Sequence, residues 1–165
     1  MSRPTATKAR KEEDERRVIC TNRKARYDYT VFETFEAGIE LRGSEVKSLR
    51  DAKAQLVDSY ATIDQGQLYL RNAHISPYDP ASLANHEPTR TRRLLMHRSQ
   101  IRRLQGKLQE SGLTMVPLSL YFRGGKVKVE LALVRGKKSY DKRAKLDDRR
   151  ARKEIRGIMR GERPE

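Results

Sequence analysis

The sequence predicts a mainly β protein with short helices: a small closed antiparallel β-barrel of oligonucleotide-binding type, with about five or six strands, and a basic C-terminal tail that can become helical. Three observations predict this. The stretch from Tyr27 to Leu41 alternates apolar and polar residues with a period of two, as a half-buried strand does. Two further alternating runs flank Gly124-Gly125, a pair suited to a two-residue hairpin turn of the primed type. Finally, the chain after Val134 turns strongly basic and almost loses its apolar residues until Ile155.

Element by element, Met1 to Arg17 is polar and mixed in charge and is expected to be disordered, which sets a division into 1–17, a folded unit 18–134 and a tail 135–165. Val18, Ile19 and Cys20 suit a short edge strand. Asn22, Arg23, Lys24 and Arg26 then form a basic lead-in beside Tyr27 and Tyr29. Cations interleaved with aromatics suit RNA, where phosphates meet the charge and unstacked bases the rings; the same residues would serve a solvated strand start with two half-buried tyrosines. In the long strand the odd positions, Tyr27 to Leu41, are apolar except Glu33, and the even ones, Glu36 among them, face water.

Gly43 breaks that run, and Ser44 is read as the cap of a helix from Glu45 to about Ala54, with Val46 and Leu49 inward. Ser59 to Asp64 and Gln67 to Asn72 read as a hairpin turning at Gln65-Gly66, with His74 and Ile75 extending it. Pro77, Pro80 and Pro88 bracket an irregular loop, 76–93, of the length that more often carries function than spacing. Leu94 and Leu95 are read as returning to the core. His97 to Glu110 is read as a helix, with Ile101, Leu104 and Leu108 on one face and Arg98, Arg102, Arg103 and Lys107 around the rest. Gly106 weakens that helix by about 1 kcal/mol and Gly112 ends it. In the last hairpin Val116, Leu118, Leu120 and Phe122 point inward, as do Val127, Val129, Leu131 and Leu133 on the return. Tyr121 then lies opposite Lys128 on the outer face, either as part of a cationic surface or as a ring covered by a lysine at a wet sheet.

Charge carries the functional argument. In 165 residues, 37 Lys and Arg stand against 22 Asp and Glu, a net charge of +15 and a pI near 10.2. Such an excess points to a polyanionic partner, most often nucleic acid. From Arg135 to Glu165 there are 13 basic and 6 acidic residues, and Arg90 to Lys107 adds seven bases with no acid. In the tail, Ile155, Ile158 and Met159 have the spacing of a small helical stripe, and Asp147-Asp148 sit where a helix would begin. Alone in water such a segment buries too little to offset its entropy, so it is expected to fold on an RNA surface or to serve as a solubilising tail.

Catalytic patterns are poor. One Cys and three separated His (His74, His86, His97) offer no metal spacing, and no phosphate cradle or serine motif is present, so neither an enzyme nor a cofactor is expected. The single Cys20 excludes a disulfide framework within the chain and suits a reducing cytosol. With no long apolar stretch, signal peptide or lipidation motif, a cytoplasmic protein without a membrane partner is expected.

The segments NRKARYDY, FEAGIELRGSEVKSLR, DSYATI, NAHISPY, DPASLANHEPTRTRRLLMH, GLTMVPLSLYF and GKVKVELALVRGKKSYDKR, in this order, resemble the SsrA-binding protein (small protein B) family of bacterial trans-translation. The resemblance implies an RNA-binding adaptor, monomeric when bound, that takes the tRNA-like domain of transfer-messenger RNA to stalled ribosomes. Its tail would lie in the empty messenger channel near the small-subunit decoding centre. It implies RNA contacts at Glu36, Leu95, His97 and Lys128, with Asn22, Arg23, Lys24 and Arg26 as the basic lead-in. In the tail it implies ribosome contacts at Lys137, Lys138, Tyr140, Asp141, Lys142, Arg143, Ile158 and Met159. His97 stands where some members have Asn, and Tyr27 where many have His; both can still donate or stack. Glu36 is the odd member, since a carboxylate repels phosphate. It fits only by accepting hydrogen bonds from a base edge or 2′-hydroxyl or by orienting an arginine, and would otherwise be a surface strand glutamate. A structural ribosomal protein would share the charge, the small barrel and the tail, and is the alternative.

Overall fold

The computed structural model describes residues 16–78, 85–110, 112–137 and 139–161, apart from the side chains of 139–142. Of the segment expected to be disordered, 1–15 lies outside the described residues, while Arg17 opens a strand, β1 (Arg17–Thr21). The chain continues through α1 (Arg23–Asp28), β2 (Tyr29–Ile39), α2 (Gly43–Arg50), β3 (Ala54–Gln55), β4 (Tyr60–Asp64), β5 (Gln67–Arg71) and β6 (His74–Ile75). It then passes through β7 (Arg92–Leu95), α3 (Arg98–Leu108), β8 (Leu113–Arg123), β9 (Lys126–Gly136) and α4 (Ser139–Met159). The result is mainly β with short helices and one long terminal helix.

Seven strands form one antiparallel sheet in the order β1-β8-β4-β5-β7-β2-β9, and β8 also pairs with β9. The core lies between these strands and α3, with Ala37, Leu49, Leu68, Leu70, Leu94, Leu104, Met115 and Leu131 buried in one cluster. Both tight hairpins turn as expected. Gln65-Gly66 and Gly124-Gly125 all have positive φ, from +49° to +73°, which gives the twist a two-residue loop requires.

Several local readings are corrected. The long strand begins at Tyr29 rather than Tyr27, because Asn22 caps α1 by accepting a 3.1 Å hydrogen bond from the Ala25 N–H. Against β9 the register of β2 shifts between Val31 and Glu33, a bulge that exposes Val31 of the inward row, while Phe32, on the row expected to face water, is 57% exposed. Glu33, the one polar residue of the apolar row, pairs with Arg103 (3.0 Å) and Lys107 and so ties β2 to α3. A second shift, between Pro117 and Ser119, splits β8. Leu120 faces the main core, but Val116 and Leu118 pack with Ala25, Ala132 and Val134 in a separate cluster. Proline has no N–H for the ladder, and a bulge is where a strand tolerates one.

Helix α2 is shorter than expected and Ser44 does not cap it. Arg42 is the N-cap residue, and its N–H donates to Glu45 Oε2 at 2.8 Å, while the Ser44 hydroxyl is 2.9 Å from His86 Nδ1. The inner side of this helix carries Glu45, Ser48 and Leu49 fully buried, with Val46 only half-buried. His74-Ile75 does not extend the middle hairpin; it pairs with Ala54-Gln55 in a separate small sheet. In the proline-bracketed loop, 79–84 lies outside the described residues and Arg92 to Leu95 is strand β7, whose alternation buries Leu94 and leaves Leu95 49% exposed. The tail is helical from Ser139, so Asp147 and Asp148 sit inside α4, where Asp148 pairs with Arg152 at 3.1 Å.

Candidate nucleic-acid interface

Three adjacent strands bring together residues far apart in sequence. Gly38 on β2 lies opposite Leu95 on β7 and opposite Lys128 on β9. With no side chain at Gly38 the neighbours close in, and a Cβ there would stand 3.2 Å from the Leu95 Cβ. A groove of about 390 Å³ opens at this point, lined by Gly38, Ile39, Leu41, Leu95, Lys126 and Lys128. His97, the exposed N-cap residue of α3, follows two residues after Leu95.

Glu36 stands two residues before Gly38 on β2, directly opposite Glu130 on β9. Its Oε2 accepts hydrogen bonds from the Tyr121 hydroxyl and from Arg123 Nη1 (3.0 Å). Burial pushes the Glu36 carboxyl up, but the bonds from Tyr121 and Arg123 and the charges of Arg123 and Lys128 outweigh it and hold it below its ordinary value. Burial first, and then Glu36 itself, raises the Tyr121 phenol. Lys128 lies opposite Tyr121 in the β8–β9 hairpin, as the turn predicts, but Tyr121 is buried to 2% exposure rather than lying at a wet surface. The Arg16 guanidinium covers its ring at 3.7 Å from the centroid.

The basic lead-in divides into different roles. Asn22 is buried; its amide donates to Leu56 O (3.0 Å) and Pro117 O (3.1 Å) while its oxygen caps α1, so the side chain is occupied by the fold. Lys24 pairs with Asp58 at 2.8 Å in an exposed bridge. Arg23 and Arg26 are exposed and, with Tyr27, face Lys145, Asp148, Arg149 and Arg152 of α4 across a groove of about 490 Å³. Lys137 and Lys145 both reach the Arg26 carbonyl at 3.4 Å. This second cationic region is thus separate in sequence and elements from the Glu36–Leu95–Lys128 group.

Of the tail candidates, Arg143, Ile158 and Met159 are exposed, Met159 to 84%. Lys138 lies outside the described residues, as do the side chains of Tyr140, Asp141 and Lys142. Ile155 joins Ile158 and Met159 in an uncovered apolar stripe on a polar helix.

A buried ion cluster, which sequence reading missed, fixes the strand that carries Leu95. The Glu45 carboxylate, fully buried at the start of α2, accepts from Arg92 Nε (2.9 Å), Arg90 Nε and Nη2 (both 2.8 Å) and the Arg42 N–H. Arg92 is equally buried and also donates to the carbonyls of Ala73 (2.7 Å), Pro88 (3.0 Å) and Arg90 (3.2 Å). The sequence presents Glu45 only as the first residue of a helix, where a negative charge suits the dipole, and nothing in its spacing announces a partner 47 residues away. An arginine beside Glu36 is anticipated, but that it is Arg123, and that Arg16 holds Glu130, is not legible for the same reason.

Among the described residues no group of three or more His, Cys, Asp or Glu is placed to hold a metal, and no helix is long and apolar enough to cross a membrane. Fold and charge together define the class: a small antiparallel β protein with a cationic surface and a basic helical tail. Residues 19–161 match the family model described as SmpB protein, and the chain belongs to the SmpB family. It is 54% identical over 148 residues to the SsrA-binding protein of Saccharopolyspora erythraea, covering 90% of this chain and 94% of that relative. It is 57% identical over 143 residues to the SsrA-binding protein of Acidothermus cellulolyticus, covering 87% of this chain and 90% of the relative. A solved structure described as "tmRNA-SmpB: a journey to the center of the bacterial ribosome" is 51% identical, with a TM-score of 0.63 over 73% of this chain and 85% of the other.

Proposed function

We propose that this protein is an RNA-binding adaptor of bacterial trans-translation, which binds the tRNA-like domain of transfer-messenger RNA and delivers it to stalled ribosomes. The observation that carries the reading is the family match over residues 19–161, joined to a likeness at 51% identity to a structure of tmRNA and SmpB in the bacterial ribosome. The protein does no chemistry of its own and needs no cofactor; its contribution is binding and placement, carried out in the cytoplasm as a monomer on its RNA.

The folded unit, residues 18–134, acts in this reading as a closed barrel of oligonucleotide-binding type. Pairing of β8 with both β4 and β9 supports that view, because it returns the strand order upon itself. Recognition of RNA is assigned to the Glu36, Leu95, His97 and Lys128 region, where an acceptor, an apolar contact and a cation lie on neighbouring strands. Such a mixture suits a shaped RNA surface better than bare phosphate. Arg23, Lys24 and Arg26 add charge at a second region, and Asn22 supports them by capping the helix that carries them.

The tail, 135–165, with Lys137, Lys138, Tyr140, Asp141, Lys142 and Arg143 at its start and Ile158 and Met159 near its end, is the part offered to the messenger channel and decoding centre. An apolar stripe left exposed on a polar helix supports a role that is completed on a partner. Co-sedimentation tests the reading. The protein should enter the ribosome fraction only when transfer-messenger RNA is present; stable ribosome association without that RNA would instead favour a structural ribosomal protein.

A further inference from the structure

The carboxylate of Glu36 stands on the face of a protein with net charge +15, beside a second carboxylate, Glu130, on the neighbouring strand. Two acids side by side on a surface meant for RNA repel both each other and the ligand. Each is answered by an arginine. Arg16 Nη2 lies 3.1 Å from Glu130 Oε2 and 2.9 Å from the Ser119 hydroxyl, which itself donates to the same Glu130 oxygen at 2.9 Å. Arg123 lies 3.0 Å from Glu36 Oε2.

Tyr121 joins the two halves. Its ring is buried under the Arg16 guanidinium, and its hydroxyl donates to Glu36 Oε2. Both donors to Glu36 therefore meet one oxygen, and Oε1 takes no hydrogen bond among the described residues, on a side chain that is 38% exposed. A glutamate held in this way has already lost the rotamer freedom that a binding contact would otherwise have to remove.

We propose that Tyr121 and Arg123 are positioning residues for RNA recognition: they lock one oxygen of Glu36 and present the other to a hydrogen-bond donor of the RNA, a ribose 2′-hydroxyl or a base amino group. The inference rests on the reading of Glu36 as an RNA contact. It explains why a carboxylate is tolerable there, since Arg123 offsets its charge while Oε1 remains an acceptor, and why a hydroxyl is kept at the end of a buried ring. A phosphate cannot be the group recognised, because it donates no hydrogen bond.

The test is a set of titrations of the full chain against the tRNA-like domain of transfer-messenger RNA at several salt concentrations, for Tyr121→Phe, Arg123→Gln, Glu36→Ala and the double variant Tyr121→Phe/Glu36→Ala. Tyr121→Phe keeps the ring beneath Arg16 and removes only the donor. It should weaken binding roughly 2- to 12-fold, the range for freeing one side chain, without changing the salt slope because no phosphate contact is lost. In the Glu36→Ala background the same change should have no further effect, since positioning acts only through Glu36. Arg123→Gln, on a part-exposed side chain that leaves the core intact, should weaken binding in the same Glu36-dependent way and serves if Tyr121→Phe folds poorly. Normal binding by both Tyr121→Phe and Arg123→Gln, with Glu36→Ala impaired, overturns the positioning role and leaves Glu36 as a contact. Normal binding by Glu36→Ala overturns the underlying reading, and the positioning role with it.

Discussion

Replacing Glu45 by Ala should destabilise the folded unit by about 3 kcal/mol or more, the lower part of the range for breaking a buried ion pair by removing one partner. The change removes the acceptor of four hydrogen bonds, from Arg42 N–H, Arg90 Nε and Nη2, and Arg92 Nε. Arg90 is partly exposed and can rehydrate, so its share is small. Arg92 has no exposure and would stay buried as a cation held only by the carbonyls of Ala73, Pro88 and Arg90. Those three acceptors keep the expected loss toward the lower end. Urea unfolding followed by circular dichroism measures it, with the midpoint lowered and the slope unchanged. The double variant Glu45→Leu/Arg92→Met removes both charges and should regain most of the loss. A loss below about 1 kcal/mol for Glu45→Ala would refute the argument, because it would put the pair in the range of exposed bridges.

Further outcomes follow from the same geometry. Burial pushes the Glu45 carboxyl up, but Arg90, the Arg42 N–H and Arg92 outweigh it and hold it below its ordinary value; its stabilisation is therefore full above the unfolded pKa of about 4.3 and is lost as pH falls through the lower folded value. Acid titration of stability should accordingly be shallower in Glu45→Gln than in the parent. Asn22→Ala removes a helix cap and the amide bond to the Pro117 carbonyl, while the Leu56 carbonyl keeps the Ser59 N–H and hydroxyl, so it should cost about 2 kcal/mol in urea unfolding, with RNA affinity of the folded fraction little changed. Gly38→Ala puts a methyl 3.2 Å from the Leu95 Cβ; it should cost about 1 kcal/mol in stability and weaken RNA binding measurably, because Leu95 must move. Ile158→Asp/Met159→Asp, on exposed positions of α4, should leave stability within about 0.5 kcal/mol while impairing rescue of stalled ribosomes in a reconstituted translation assay.

What could be read in advance follows the range of the physics involved. Alternation and turn chemistry act between neighbours, so β4, β5, β9 and both tight hairpins were legible from their residues. Bulges are not legible that way. Nothing in Tyr29 to Ile39 says that the ladder slips between Val31 and Glu33, and only Pro117 hinted at the break in β8. A six-residue helix such as α1 is too short for periodicity, and its signal was Asn22 as a cap, a role not read from the sequence. Leu95 looked like core beside Leu94, yet a strand buries alternate residues. For the interface, the resemblance supplied Glu36, Leu95 and Lys128, while their meeting around Gly38 depends on strand order. The groups that hold Glu36 lie 85 and 87 residues further along the chain, beyond any local pattern.

The most direct test of the account is a titration of the full chain against the tRNA-like domain of transfer-messenger RNA and against an unrelated RNA duplex of equal length, across a range of salt. A strong preference for the tRNA-like domain that survives rising salt and is lost in Glu36→Ala and Lys128→Ala is the predicted result. Equal binding to both RNAs, collapsing together as salt rises, would contradict it and leave only the nonspecific attraction of a basic protein for phosphate.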